Sequence, residues 1–106
     1  LTLGEKIADI GGVKLAFRAY RSLRRGAKEE QLAEGFSEDQ QFFLSVGQVW
    51  CMNAREQVAQ VLLKVDPHSP PRFRVNGSLM NTPEFAEAFE CPIGSPMRPA
   101  NACSVW

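Results

Sequence analysis

Histidine is nearly absent from this chain: His68 is the only one in 106 residues. Catalytic zinc sites take about three protein ligands and structural ones about four, so one imidazole excludes a histidine-based site built by this chain alone. The three cysteines do not fill the gap. Cys51, Cys91 and Cys103 lack the C-x₂₋₄-C spacing of structural zinc sites. Net charge is missing too, because twelve basic and twelve acidic residues cancel. That removes the electrostatic basis for binding nucleic acid or an anionic membrane surface. No apolar run reaches the roughly 18 residues of a bilayer span. Residues 1–3 are too short an apolar stretch for a signal peptide, with Glu5, Lys6 and Asp9 close behind. Any targeting segment is therefore expected upstream of Leu1. Strand-like alternation, internal repeats, phosphate-cradling loops and nucleophile elbows are absent as well.

What remains is a chain of globular composition, short enough for at most one domain. Three cysteines are an odd number, so they cannot all pair with one another. They are either buried free thiols or partners for cysteines in another part of a longer protein.

Helical periodicity dominates, and four segments are predicted. Thr2 and Glu5 have capping-box spacing. Leu3, Ile7, Ile10, Val13 and Phe17 then form an apolar stripe. Gly11-Gly12 costs about 1 kcal/mol per glycine within a helix; the pair either ends the helix or admits a neighbouring backbone. Gly26 closes this segment, after a basic run suited to a helix C-terminus. Residues 27–36 read as a polar connection. Ser37 and Gln40 form a second capping box, opening a helix over 37–51 that is apolar on most of its circumference and is expected to be buried. A chain this small has little room to surround such a helix. A third helix runs from Asn53, with Glu56, to Val65, stopped by Asp66-Pro67. Residues 68–71 are expected to be extended, and 73–80 to be irregular or a short extended stretch, with Asn76-Gly77 a turn signal. Thr82-Pro83-Glu84 starts the last helix and Cys91-Pro92 ends it. The proline-rich tail is loose by composition, unless Cys103 is tied by a disulfide.

Few residues are equipped for chemistry. Glu5 and Asp9, four apart, share a helical face among Ile7, Ala8 and Ile10. They read either as a solvated acidic patch or as a metal-ligand carboxylate with a second carboxylate orienting another ligand. His68 reads as a surface residue when taken alone. Arg72 and Arg74 flank Phe73, as a surface basic pair with an aromatic anchor or as donors to a peptide carbonyl or carboxylate.

These segments have a familiar order. Gly4-Glu5-Lys6-Ile7-Ala8-Asp9 resembles the G-E-N-x-A-D motif of the neprilysin and endothelin-converting enzyme family, and Gly11-Gly12-Val13-Lys14-Leu15-Ala16 continues its G-G-[LV]-x-x-A. Gln41-Phe42-Phe43-Leu44 resembles its Q-L-F-F, offset by one residue, and Gln48-Val49-Trp50-Cys51 its Q-V-W-C. The stretch from Asp66 through His68, Ser69, Pro70 and Arg74 to Val75 is similar to D-x-H-S-P-x-x-x-R-V. Phe85-Ala86-Glu87-Ala88-Phe89-Glu90-Cys91 resembles F-x-E-A-F-x-C, and Cys103-Ser104-Val105-Trp106 the family's C-x-V-W terminus. Lys6 and Ile10 depart from the pattern, standing where asparagine is usual or common.

The resemblance implies an all-α segment over residues 1–106: the C-terminal helical part of a thermolysin-like catalytic domain, incomplete on its own. It implies that Glu5 is the third zinc ligand and Asp9 the carboxylate orienting a zinc-bound histidine. It gives His68 the oxyanion, Arg74 the substrate backbone, and Val49 and Trp50 the wall of a pocket for a large apolar side chain. The remaining zinc ligands and the general base would come from an upstream H-E-x-x-H helix, and Cys51, Cys91 and Cys103 would pair with upstream cysteines. The expected activity is zinc-dependent hydrolysis of short peptides on the amino side of large apolar residues, on the extracellular side, by a secreted or membrane-anchored ectodomain. The expected partners are the peptide substrate and the upstream part of the same protein. This chain alone is expected to be inactive. The competing readings are a non-catalytic helical binding module and a catalytically dead homologue.

Overall fold

A computed structural model describes residues 1–30 and 33–105. Trp106, part of the terminal motif, lies outside the described residues. Those residues form five α-helices and no strand: α1 (Leu3–Leu23), α2 (Glu38–Val49), α3 (Glu56–Val65), α4 (Pro71–Leu79) and α5 (Pro83–Ala88).

The long first helix runs straight through Gly11-Gly12. Gly11 is buried and nothing crowds Gly12. The Thr2–Glu5 capping box does not form, because Thr2 has helical-region backbone angles and its side chain caps nothing. An N-cap hydroxyl reaches the N2 or N3 amide from an extended conformation, which Thr2 does not adopt. Ser37 does adopt it. Its hydroxyl accepts from Gln40 N–H, and the Gln40 carboxamide accepts in return from Ser37 N–H.

Helix α4 corrects the expectation of an irregular 73–80 segment. Pro71 sits at its first position, where a missing N–H costs nothing. Asn76 and Gly77 lie inside it and are carried by the packing of α4 along α1; tertiary burial outweighs their low propensity. Helix α3 starts at Glu56 with Arg55, not Asn53, at its N-cap. Thr82 precedes α5 but does not cap it. It is buried, and its hydroxyl donates to the Ser78 carbonyl. Helix α5 ends at Ala88, earlier than Cys91. Glu90 takes a left-handed φ of 52°, Cys91 N–H donates to Ala86 O and Glu90 N–H to Glu87 O. That is a Schellman ending with glutamate where glycine is usual.

The core lies among α1, α2, α4 and α5. Phe17, Phe43 and Leu79 form its centre, bordered by Val13, Tyr20, Phe42, Val46, Val75, Phe85, Phe89 and Met97. Phe17 stacks on Phe43 with ring centroids 4.9 Å apart, and Phe85 meets Phe43 edge-on at 5.5 Å. Such ring pairs add about 0.5–1.5 kcal/mol each beyond burial. The expectation that α2 is buried around its circumference is corrected. Only Phe43 is fully enclosed, while Leu44 and Val49 face outward. Helix α3 has no buried residue at all.

The C-terminal tail is docked without a disulfide. Asn81 Oδ1 accepts from Cys103 N–H at 2.7 Å, and Lys14 Nζ donates to Val105 O at 3.1 Å. The three cysteines are free thiols, Cys51 and Cys103 exposed and Cys91 half-buried. Total accessible surface is 7654 Å², against about 5,900 Å² for a folded monomer of this mass. The radius of gyration is 15.2 Å, against about 13 Å for a compact domain of this length. Exposed apolar side chains on α3 (Val58, Val61, Leu63, Val65) and the outer face of α2 (Leu44, Val49) are part of that surface.

Candidate active site

The N-terminal half of α1 and the 66–74 stretch meet in space, and the residues singled out in sequence meet with them. Asp9, a turn below Glu5 on α1, receives Arg74 of α4 as a two-pronged pair: Nε to Oδ2 at 2.7 Å and Nη2 to Oδ1 at 2.5 Å. Both side chains are largely buried. The fork geometry matches the carboxylate plane, and the bond to Asp9 raises the Arg74 pKa further, against the opposing effect of its burial. The back of the guanidinium lies 3.8 Å from the centre of the Trp50 ring, a cation–π contact with the residue that ends α2.

His68 sits between two carboxylates. Its Nε2 is 3.2 Å from Glu5 Oε2 and its Nδ1 2.7 Å from Asp66 Oδ1. Asp66 also accepts from the His68 backbone N–H at 2.8 Å. That backbone bond, then the ring bond, holds the Asp66 carboxyl below its ordinary range.

Sequence reasoning used Asp66 only as a helix stop and gave it no part in the site. The signal was available: an aspartate two residues before a histidine can bond the following backbone N–H as an Asx turn and hold the ring. The resemblance gave Asp9 and Arg74 separate partners, whereas in this structure they bond each other. Lys6 is exposed and forms no ion pair with Glu5 among the described residues. The positive charge beside Glu5 is directed outward.

Beside this cluster lies a groove of about 700 Å³. Val49, Trp50, Ala59, Leu62 and Leu63 give it apolar walls, with His68, Arg72 and Arg74 also in its lining. Val49 and Trp50 thus stand beside His68 and Arg74, across the end of α2. A second groove of about 770 Å³ lies at the other end of α1. Two of its four arginines are paired, Arg21 with Asp39 at 3.2 Å and Arg24 with Glu38, and neither an imidazole nor a large apolar side chain lines it. The first groove is the chemically equipped one.

No group of three histidine, cysteine or acidic side chains among the described residues could enclose a metal ion. Glu5 nonetheless suits one position of a zinc site. Its carboxylate is an oxygen donor of the kind zinc accepts, part-exposed in the first turn of α1 beside the imidazole. The chain fits the ion as the donor of one ligand and not as its cage.

The arrangement of helices is similar to part of a zinc metalloprotease. It matches the open state of zinc metalloprotease ZMP1 of Mycobacterium tuberculosis with a TM-score of 0.81 and 35% identity, over 91% of this chain and 15% of that one. The class is therefore a helical segment of a metallopeptidase fold.

The family model described as Peptidase family M13 matches residues 1–105, and the chain belongs to that family. It is 50% identical to Neprilysin-1 of Caenorhabditis elegans over 110 residues, covering 100% of this chain and 15% of that protein. It is also 50% identical to Endothelin-converting enzyme 1 of Homo sapiens over 107 residues, covering 99% of this chain and 14% of that protein. The chain thus spans about one-seventh of the length of the curated relatives it matches.

Proposed function

We propose that this chain is the C-terminal part of the catalytic domain of a zinc metalloendopeptidase, and that it contributes one wall of the active site without being active alone. The observation that carries the reading is the meeting of Glu5, Asp9, His68 and Arg74 beside an apolar groove.

In this reading Glu5 would hold zinc as one of its protein ligands. The ion, when bound, supplies Lewis acidity and an activated water. His68 meets Glu5 through Nε2; with Glu5 turned to the ion, Nε2 would be released to face the oxygen that gains charge as a peptide carbonyl is attacked, while Asp66 fixes the ring by holding Nδ1. Asp9 holds Arg74 flat against Trp50, so that the guanidinium edge not bound to Asp9 is presented to the backbone of a peptide. A preformed donor needs no reorganisation at the moment of reaction. Val49, Trp50, Leu62 and Leu63 receive a large apolar side chain and exclude water from it. The preferred peptides are short, cut on the amino side of that residue. Upstream segments supply the other ligands and the general base, and pair with Cys51, Cys91 and Cys103. The whole protein works on the extracellular side. No helix among the described residues is long and apolar enough to cross a membrane, so a membrane anchor would belong to another segment.

The test is the zinc content and peptidase activity of the full-length protein. About one equivalent of zinc with hydrolysis of short apolar peptides is expected. Glu5→Gln should release most of the zinc, and stoichiometric zinc retained in that variant would remove Glu5 as a ligand. A native protein without zinc would be a dead homologue.

A further inference from the structure

Of the asparagines in the chain, Asn76 alone begins an N-x-[ST] triplet, Asn76-Gly77-Ser78. Such a triplet is the acceptor for N-linked sugar in secreted proteins, and the peptidase reading makes no use of it. Asn76 lies in the middle of α4 and is exposed. It shares the outer face of that helix with the exposed Arg72 and Phe73, one turn before it. Ser78 and Leu79 are buried on the other side. The Asn76 side chain has no hydrogen bond among the described residues. Beside it, a side chain at Gly77 would meet no other part of the molecule within 4 Å. The site is therefore outward, unengaged and uncrowded.

We propose that Asn76 is an N-glycosylation site, modified before α4 has formed. This rests on the extracellular reading, because the sugar donor is met only on the secretory route. An acceptor triplet ordinarily lies on a loop, where the transferase can take it extended. Helix α4 satisfies that need early. Its nine residues fall short of the roughly 12–15 that sustain an isolated helix, and Asn76 and Gly77 are poor helix formers. Its order comes from packing on α1, so the triplet stays open until that packing is made. In the transfer, Asn76 Nδ2 forms a bond to the anomeric carbon of a lipid-pyrophosphate-linked oligosaccharide. The bond from that carbon to the pyrophosphate oxygen breaks, the lipid pyrophosphate leaves with the electron pair, and one amide proton is released. Once α4 docks, the sugar stands in solvent on the outer face, and so bulky and polar a group does not oppose the burial of Ser78 and Leu79.

The experiment uses the full-length protein made in animal cells that glycosylate their secreted proteins. Surface labelling and assay of the medium first establish whether it reaches the extracellular side. An amidase that removes N-linked sugar is then applied in heavy-oxygen water, which converts a sugar-bearing asparagine to labelled aspartate. Mass spectrometry of the tryptic peptide that starts at Val75 reads the result. Label at position 76 in most molecules is expected. Ser78→Ala keeps Asn76 but removes the hydroxyl of the triplet, and should abolish the label. Asn76→Gln, a change at an exposed position, should lower the intact mass by one sugar chain. Label that appears without the amidase, or survives in Ser78→Ala, is spontaneous deamidation of Asn-Gly and overturns the proposal. Unmodified Asn76 in a protein that has reached the extracellular side also overturns it, and leaves the extracellular reading standing. A protein retained in the cytosol refutes the extracellular reading, and the proposal falls with it.

Discussion

Helices α2 and α3 are both apolar and both amphipathic, yet they end up in opposite situations. The inward residues of α2 close on Phe17, Leu79 and Phe85, and Phe43 is left 1% exposed. The stripe of α3, Val58, Val61 and Val65, is exposed along its length, and only the Ala59–Leu62 side borders the groove. Apolar periodicity marks a face that favours cover. It does not say whether the same chain provides the cover. The candidate-site cluster lies on the seam between these two regions, with Asp9, Arg74 and Trp50 anchored to the packed side and Leu62 and Leu63 on the bare one.

The sharpest way to break this contrast is to cut into both regions. Phe43→Ala should cost about 3–5 kcal/mol, enough to unfold a chain with so small a core. Val61→Ser should change stability by about 0.5 kcal/mol or less, as exposed substitutions do. Urea denaturation of both variants is the measurement. A loss above about 1.5 kcal/mol for Val61→Ser would mean that α3 is covered in solution.

Arg74→Ala comes next in size. It leaves the largely buried Asp9 carboxylate without its partner, at a cost of about 2–3 kcal/mol. That is below the figure for a fully enclosed pair, because one edge meets solvent. It should also reduce peptide turnover in the full-length protein while leaving zinc in place. Arg74→Lys separates the two effects: it keeps a charge for Asp9 but loses the planar contact with Trp50 and the second prong. Recovered stability with turnover still depressed is expected. Full recovery of both would reduce Arg74 to a charge partner.

Much of the packed side was legible before any coordinates. Ser37 and Gln40 announced the start of α2 because a capping box is a local device, complete within four residues. The end of α3 at Val65 was equally local, set by Asp66-Pro67. Helix α4 was not legible. Pro70-Pro71 and Asn76-Gly77 are breakers by propensity, and what overrules them is contact with α1, some 60 residues away in sequence. The same distance hid the pairings of the site. Asp9 and Arg74 are 65 residues apart, and nothing around either names the other. Family motifs placed Glu5, Asp9, His68 and Arg74 in one site, but not that Arg74 would hold Asp9 or that Asp66 would hold His68.

The packed side also contains a strained point, which offers a gain in stability. Glu90 is the one described residue other than glycine with positive φ. A left-handed backbone costs an L side chain about 1–2 kcal/mol, and Glu90 is exposed. Glu90→Gly should therefore stabilise the chain by about 1 kcal/mol, seen as a higher denaturation midpoint with an unchanged slope. A loss of stability would show that the glutamate side chain contributes more than its backbone costs.

The smallest effect belongs to the far end of α1, where charge pairing is local. Glu38 accepts from Arg24 and from the Glu30 backbone N–H, the latter at 2.7 Å. The Arg24 bond first, then the Glu30 amide, pulls the Glu38 carboxyl below its ordinary range. A carboxylate with a lowered folded-state pKa favours the folded form above its unfolded value, about 4.3. That contribution fades as pH falls through the lowered folded-state value. The Glu30 amide resonance should therefore titrate with a midpoint below about 4.3, and added salt should move the midpoint back up by screening Arg24. Arg24→Gln should do the same without salt. A midpoint at the ordinary glutamate value in the native chain would mean that this end of α1 is not stitched to α2, and that the order of the molecule rests on the aromatic core and the Asp9–Arg74 pair alone.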